Sequence, residues 1–229
     1  MYSGARQSRD RRASVAPRIE NTPRVDRVFS SPEGREAPAQ HEDLPDQRTP
    51  PRTLAPVTTT SHASPPILVR TATSADAAAI AAIYNREVTT STATFDLVER
   101  TIDQQRQWLA ERSGAFSAIV AVDSSTAQVL GFASLSPYKE RAAYRTTVED
   151  SVYVDRAHNG RGIGRLLMTH LVATARDHGF HSIIARIEAT GDASRGLHAA
   201  CGFELVGVER QVGRKFNRWL DVAVMQLML

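Results

Sequence analysis

Proline divides this chain in two. Ten of the eleven prolines, Pro17 to Pro66, fall in the first 66 of 229 residues, with ten arginines and eight acids but only two of the fourteen aromatics, Tyr2 and Phe29. So few apolar side chains cannot bury enough surface to offset the entropy of ordering, so residues 1–66 are expected to be a disordered Pro/Arg-rich tail. Residues 67–229 carry eleven of the thirteen glycines, both tryptophans and the only cysteine. They are expected to form one globular domain.

The formal charge of +3 and pI of about 9.3 invite an anionic polymer as partner. The surplus is spread thin. Beyond residue 66, eighteen cations face seventeen acids, and no basic run marks a single element, so no nucleic acid is expected. Arginine outnumbers lysine 26 to 2, which lifts the pI without adding charge at neutral pH. The lone Cys201 excludes an internal disulfide and suits a reducing cytoplasm. The longest apolar run, Ala77 to Tyr84, is far short of the roughly 18 residues of a membrane span, so no membrane is expected. Asp10, Glu20, Asp26, Glu33 and Glu36 do not fit a transit peptide, which is poor in acids.

From residue 67 the pattern alternates between strand and helix. Ile67 to Arg70 reads as a strand, and a helix follows with Ser74 as cap, Asp76 in its first turn and Ile80, Ile83 and Tyr84 on one face. Thr101 and Gln104 have capping-box spacing for a second helix through Trp108 and Leu109. Strands are predicted at 116–122, 129–135 and 147–154, a helix at 163–178, a strand at 182–187, a short helix at 193–201, and a last antiparallel pair at 203–212 and 219–227. The fold class is therefore α/β (α+β), a mixed, mostly antiparallel sheet of seven strands flanked by four helices.

The segment richest in chemistry runs from Val152 to Arg165: a strand, glycines at 160, 162 and 164, then an amphipathic helix. Glycine lets backbone approach a ligand closely, and successive amides at a helix N-terminus make a nest for an anion, so a phosphate or pyrophosphate is expected there. No Gly-Lys-Ser/Thr follows, so this is not a P-loop, and the spacing is too short for a dinucleotide fingerprint. By itself it also fits an ordinary strand-to-helix turn.

The order of elements, the glycine turn and the closing Leu197-His-Ala-Ala-Cys-Gly-Phe203 resemble the GNAT acetyltransferase superfamily. Thr92-Ala-Thr-Phe95, Gly131-Phe-Ala-Ser134, Lys139-x-Arg141-x-x-Tyr144, Thr147-Val-Glu149 and Val212-Gly-Arg-Lys-Phe-Asn-Arg-Trp-Leu-Asp221 narrow the resemblance to its phosphinothricin/methionine-sulfone acetyltransferase branch. The resemblance implies transfer from acetyl-CoA to the amine of a small amino-acid analogue, with Glu149 as general base, because only a neutral amine attacks a thioester. It assigns the cofactor to Ser151, Val152, Tyr153 and Val154 on the strand, to His158, Asn159, Gly160, Arg161, Gly162, Ile163, Gly164 and Arg165 in the turn, and to Glu188. It assigns the acceptor to Phe95, Lys139, Arg141, Tyr144, His198 and Lys215, with Arg214 and Phe216 nearby, and it implies a homodimer and no metal. A different amine acceptor, or a catalytically weak CoA- or amino-acid-binding protein, are the alternatives. Two positions depart from the pattern: Asn159 stands where Gln or Arg opens the turn, and Gly191-Asp192 where an asparagine is usual. Both changes imply weaker CoA binding.

Overall fold

A computed structural model describes residues 66–229, and the expected tail lies outside the described residues. The chain forms β1 (Ile67–Thr71), α1 (Ala77–Thr90), α2 (Ile102–Ala110), β2 (Ile119–Asp123), β3 (Val129–Pro137), β4 (Thr147–Val154), α3 (Ile163–Asp177), β5 (Ser182–Glu188), α4 (Asp192–Ala200), β6 (Glu204–Lys215) and β7 (Arg218–Met228). The seven strands make one sheet in the order β1-β2-β3-β4-β5-β7-β6. Every neighbouring pair is antiparallel except β4 with β5.

Helix spacing explains the two layers. On α3, Ile163, Leu167, Met168, Leu171, Val172 and Ala175 are buried, the stripe expected of a helix lying on a sheet. They pack against Ala133, Leu135, Val148, Ile183 and Ala185, and each such large side chain contributes about 1.5–3 kcal/mol by leaving water. Ile80, Ile83, Tyr84 and Val88 of α1 cover the other face with Val120, Val122 and Phe132. Tyr153 stacks on Phe132 there, with centroids 5.2 Å apart.

The expected capping box holds for α2: the Gln104 amide donates to Thr101 Oγ1 at 3.1 Å and the Thr101 amide to Gln104 Oε1 at 2.8 Å. Three boundaries differ. Ser74 begins a 3-10 turn, where Asp76 accepts from the Thr73 amide at 2.7 Å and from Arg70, and α1 starts only at Ala77. Phe116 lies in a 3-10 turn instead of a strand, its ring 5.8 Å from that of Phe180. Strand β6 runs on past Val212 to Lys215, because the register shift between Glu209 and Gly213 absorbs Gln211, at φ 52°, and pairing with β7 resumes. Phe216 and Asn217, both at positive φ, then close a two-residue hairpin.

Gly131 marks where β3 and β4 approach most tightly. A Cβ there would sit 2.8 Å from the Tyr153 carbonyl oxygen and 3.2 Å from Val154 Cα, both backbone atoms. Gly131→Ala is therefore expected to cost about 1–3 kcal/mol, seen as a lower midpoint in thermal unfolding.

Candidate active site

The sheet is split at its centre. Parallel pairing of β4 with β5 covers Thr147 with Ser182, Val148 with Ile183 and Glu149 with Ile184, and stops. Beyond that point β4 stays registered with β3 to Val154, and β5 stays registered with β7 to Glu188. The strands part, and a cleft of about 1060 Å³ opens between them.

The pleat decides which groups face it. The Asp155 amide donates to the Leu130 carbonyl at 2.8 Å, and the β3–β4 register is unbroken back to Val148. Alternate amides on an antiparallel strand point the same way, so Tyr153 and Ser151 also donate toward β3, while the Val152 and Val154 amides face the cleft. Glu149, Ser151 and Tyr153 lie on the α1–α2 face of the sheet, and Asp150, Val152 and Val154 on the α3–α4 face.

At the cleft's far end the chain turns into α3. Gly160 and Gly162 both have φ of 77°, a left-handed conformation that glycine adopts without strain, and a Cβ on either would meet nothing within 4 Å. Gly162 is the N-cap of α3, so the first amides of a 15-residue helix open onto the cleft with the positive end of its dipole. Gly164 packs closely: its Cβ would lie 3.0 Å from Leu197 Cδ2. Asn159 and Arg165 line the cleft, whereas Arg161 is exposed and outside the lining. His158 lines it too, with Nδ1 3.3 Å from the Asp155 carboxylate. The open edge, the left-handed glycines and the helix terminus together fit a phosphorylated, strand-like cofactor arm.

Glu149 stands at the fork itself and lines the cleft. Burial pushes its carboxyl above the ordinary range; the Arg186 charge opposes this, and Asp150 and Glu209 add to it. Among the described residues no cation lies within 4 Å of it.

The segment Ser91 to Phe95 lines the same cleft and is held from three sides. Glu188 is buried, accepting from Thr92 Oγ1 at 3.1 Å, Thr190 Oγ1 at 2.6 Å and the Thr190 amide at 3.1 Å. The Lys215 ammonium, 4 % exposed, donates to the Thr94 carbonyl at 2.7 Å and the Glu87 carbonyl at 3.3 Å, and burial lowers its pKa. Arg156 donates to both oxygens of Glu87, at 2.7 and 2.8 Å, and Ser91 Oγ donates to the same carboxylate at 2.5 Å. Phe95 packs against Gly213, where a Cβ would come within 2.2 Å of the ring.

These contacts redistribute the expected roles. Glu149, Ser151, Val152, Tyr153, Val154, Ile163, Glu188, Phe95 and His198 are brought to the cleft with the turn glycines. Lys139, Arg141 and Tyr144 are exposed on the loop between β3 and β4, outside the lining, with the Lys139 ammonium 5.2 Å from the Tyr144 ring. Lys215 is outside the lining, its ammonium engaged by the carbonyls of Glu87 and Thr94 in the wall behind it. His198 is buried with both nitrogens engaged: Nδ1 with the Ser194 carbonyl at 2.7 Å and Nε2 with Asp150 Oδ2 at 3.0 Å. Asp192 is not the cap of α4; it sits in the first turn, 3.4 Å from Arg195, and Gly191 precedes it. A Cβ at Gly191 would lie 3.0 Å from the Glu188 carbonyl oxygen, so this tight exit favours glycine over the asparagine of the pattern. The Glu87–Arg156, Thr92–Glu188 and Asp150–His198 contacts span 69, 96 and 48 residues, and no local spacing announces them.

Residues 69–224 match the family model described as an acetyltransferase (GNAT) domain. An L-methionine sulfoximine/L-methionine sulfone acetyltransferase of Pseudomonas paraeruginosa is 38% identical over 161 residues, 70% of this chain and 94% of that protein. A crystal structure of a GNAT superfamily phosphinothricin acetyltransferase from Sinorhizobium meliloti in complex with acetyl-CoA is 35% identical, with a TM-score of 0.68 over 71% of this chain and 88% of that one. A ribosomal-protein-alanine N-acetyltransferase from Brucella melitensis is 41% identical, with a TM-score of 0.68 over 71% of this chain and 99% of that one. The chain belongs to the GNAT acetyltransferase family.

The Asp150–His198 pair has a measurable signature. Burial pulls the imidazolium down, but the Asp150 hydrogen bond and charge, with the Ser194 carbonyl, outweigh it and raise the His198 pKa. A raised pKa contributes stability that is complete below the unfolded value of about 6.5 and is lost as pH climbs through the folded value. Thermal unfolding across neutral pH should show that loss in the wild type and not in Asp150→Asn.

Proposed function

We propose that this acetyltransferase uses acetyl-CoA to acetylate the primary amine of a small amino-acid analogue of the phosphinothricin, methionine sulfone or methionine sulfoximine type, with Glu149 as general base. The observation that carries the reading is the half-buried Glu149 carboxylate at the fork of β4 and β5, on the same cleft as the glycine-capped N-terminus of α3. The named relatives support the acceptor class.

Each residue has a task in this reading. The amides facing the cleft at Val152 and Val154 hold the pantetheine arm as an added strand and polarise the thioester carbonyl. The α3 terminus, with Asn159 and Arg165, takes the pyrophosphate. Acetyl-CoA supplies the activated acyl carbon: its bond to the amine nitrogen forms, its bond to sulfur breaks, and CoA leaves as a thiolate that takes up the proton shed by the new amide nitrogen. Glu149 accepts a proton from the acceptor's ammonium, directly or through one water, and so frees the attacking lone pair. Its raised pKa suits this task, since a stronger base takes the proton more readily. Phe95 walls the acceptor side, and Lys139, Arg141 and Tyr144, on the loop between β3 and β4, meet the acceptor's phosphinyl or sulfonyl end. His198 and Lys215 act by holding the walls in place.

Two further parts belong to this reading. The protein works in the cytoplasm, and two copies pair through β6, an edge strand exposing Leu205, Val206, Val208 and Val212. Sedimentation is expected to show a dimer that Val206→Asp weakens.

Thiol release measured with methionine sulfone, methionine sulfoximine and phosphinothricin tests the assignment. Glu149→Gln should lower kcat by about 10²–10⁴-fold with little change in the KM for acetyl-CoA. Because the base must be deprotonated, kcat/KM should fall with decreasing pH through a limb above the ordinary glutamate range, and the variant should lose that limb. Full activity in Glu149→Gln would remove it from the role.

A further inference from the structure

Building on that reading of the site, we infer that Arg186 is a specificity-determining residue that receives the acceptor's α-carboxylate and so turns its amine toward Glu149.

The argument begins in the sheet register. Ile184 lies opposite Glu149 in the last parallel pair, and Arg186 is two residues further along β5, on the same face and roughly 7 Å beyond. It is the one exposed residue of β5, and it lines the cleft. By the pleat of β5 Glu188 lies on the same face as Arg186 and holds Thr92, and Phe95 lines the same cleft. An amino acid placing its nitrogen at Glu149 carries its carboxylate two bonds away, where a planar fork of donors is needed.

The other cations nearby are less available. Lys215 is buried on two carbonyls, and Arg156 is held bidentate by Glu87. Lys139 and Arg141 are on the exposed loop outside the lining, although Lys139 is near enough to Arg186 for the two charges to repel. Arg186 is paired with Glu209 of β6, with side chains 41% and 43% exposed, and a half-exposed pair is a weak one. Glu209 thus serves as a stand-in carboxylate that the acceptor's own carboxylate displaces. The Arg186 charge also reaches Glu149, against Asp150 on β4 and Glu209 on β6.

The full-length protein can be assayed with methionine sulfone and with the primary amine that lacks only its carboxylate. In Arg186→Gln the KM for methionine sulfone should rise about tenfold or more, the KM for acetyl-CoA should hold, and the KM for the carboxylate-free amine should change far less. Arg186→Lys should recover part of the loss. Glu209→Gln, which frees the guanidinium, should lower the KM for methionine sulfone. The acid limb of kcat/KM should move to higher pH in Arg186→Gln, because a compensating positive charge is gone. Equal losses with both amines would reduce Arg186 to a structural role and overturn the inference. Calorimetric binding of methionine sulfone to the CoA-saturated protein reads it without turnover: equal affinity in wild type and Arg186→Gln overturns it. Absence of turnover on any acceptor would instead overturn the acetyl-transfer reading, leaving the inference to stand or fall on the calorimetry.

Discussion

The structure depends on a competition for hydrogen-bonding partners at the middle of the sheet. A strand has two edges, and β4 gives one of them to β3 along its whole length while β5 gives one of its own to β7. Only three residue pairs remain for β4 and β5 to share. The cost of leaving later amides without a strand partner is offset when a ligand supplies the missing acceptors. That is the physical sense of an unfilled seam in an otherwise closed sheet. It leaves a single strand with unpaired backbone amides and the Glu149 carboxylate on the same cleft.

Around the seam, charge is almost everywhere balanced locally. Arg156 meets Glu87, Arg186 meets Glu209 and His198 meets Asp150. Glu188 is satisfied by hydroxyl and amide donors. Glu149 stands apart, a half-buried carboxylate with no cation at close range, and burial raises its proton affinity more than the Arg186 charge lowers it. A group left in that condition among paired neighbours is where chemistry is expected.

Much of this was legible before any coordinates. Apolar periodicity, caps and turn residues give the order of all eleven elements, with no end for α1, and Gly160, Gly162 and Gly164 mark the strand-to-helix turn because left-handed backbone and close packing leave few other choices of residue. Thr147-Val-Glu149 pointed at the fork. What was not legible is what couples distant segments. Lys215 reads as one more cation near a hairpin, and only its distance to the carbonyls of Glu87 and Thr94 reveals a buried brace. His198 reads as a ligand-facing imidazole until Asp150, on the opposite face from Glu149, claims one nitrogen and the Ser194 carbonyl the other. The extension of β6 depended on a bulge at Gln211, and bulges carry no dependable sequence signature when the residue is not glycine.

The contact of Phe95 with Gly213 carries one more implication. The ring rests on bare backbone, so the width of the cleft at this wall is set by an atom that is not there. A single methyl group on β6 would lift the ring, and with it the Thr92 to Asp96 segment whose anchors at Glu188 and Lys215 resist the shift. The width of the cleft at this wall is therefore written partly on an outer strand. Drift at that one strand position would reshape the cleft while every side chain lining it stayed the same.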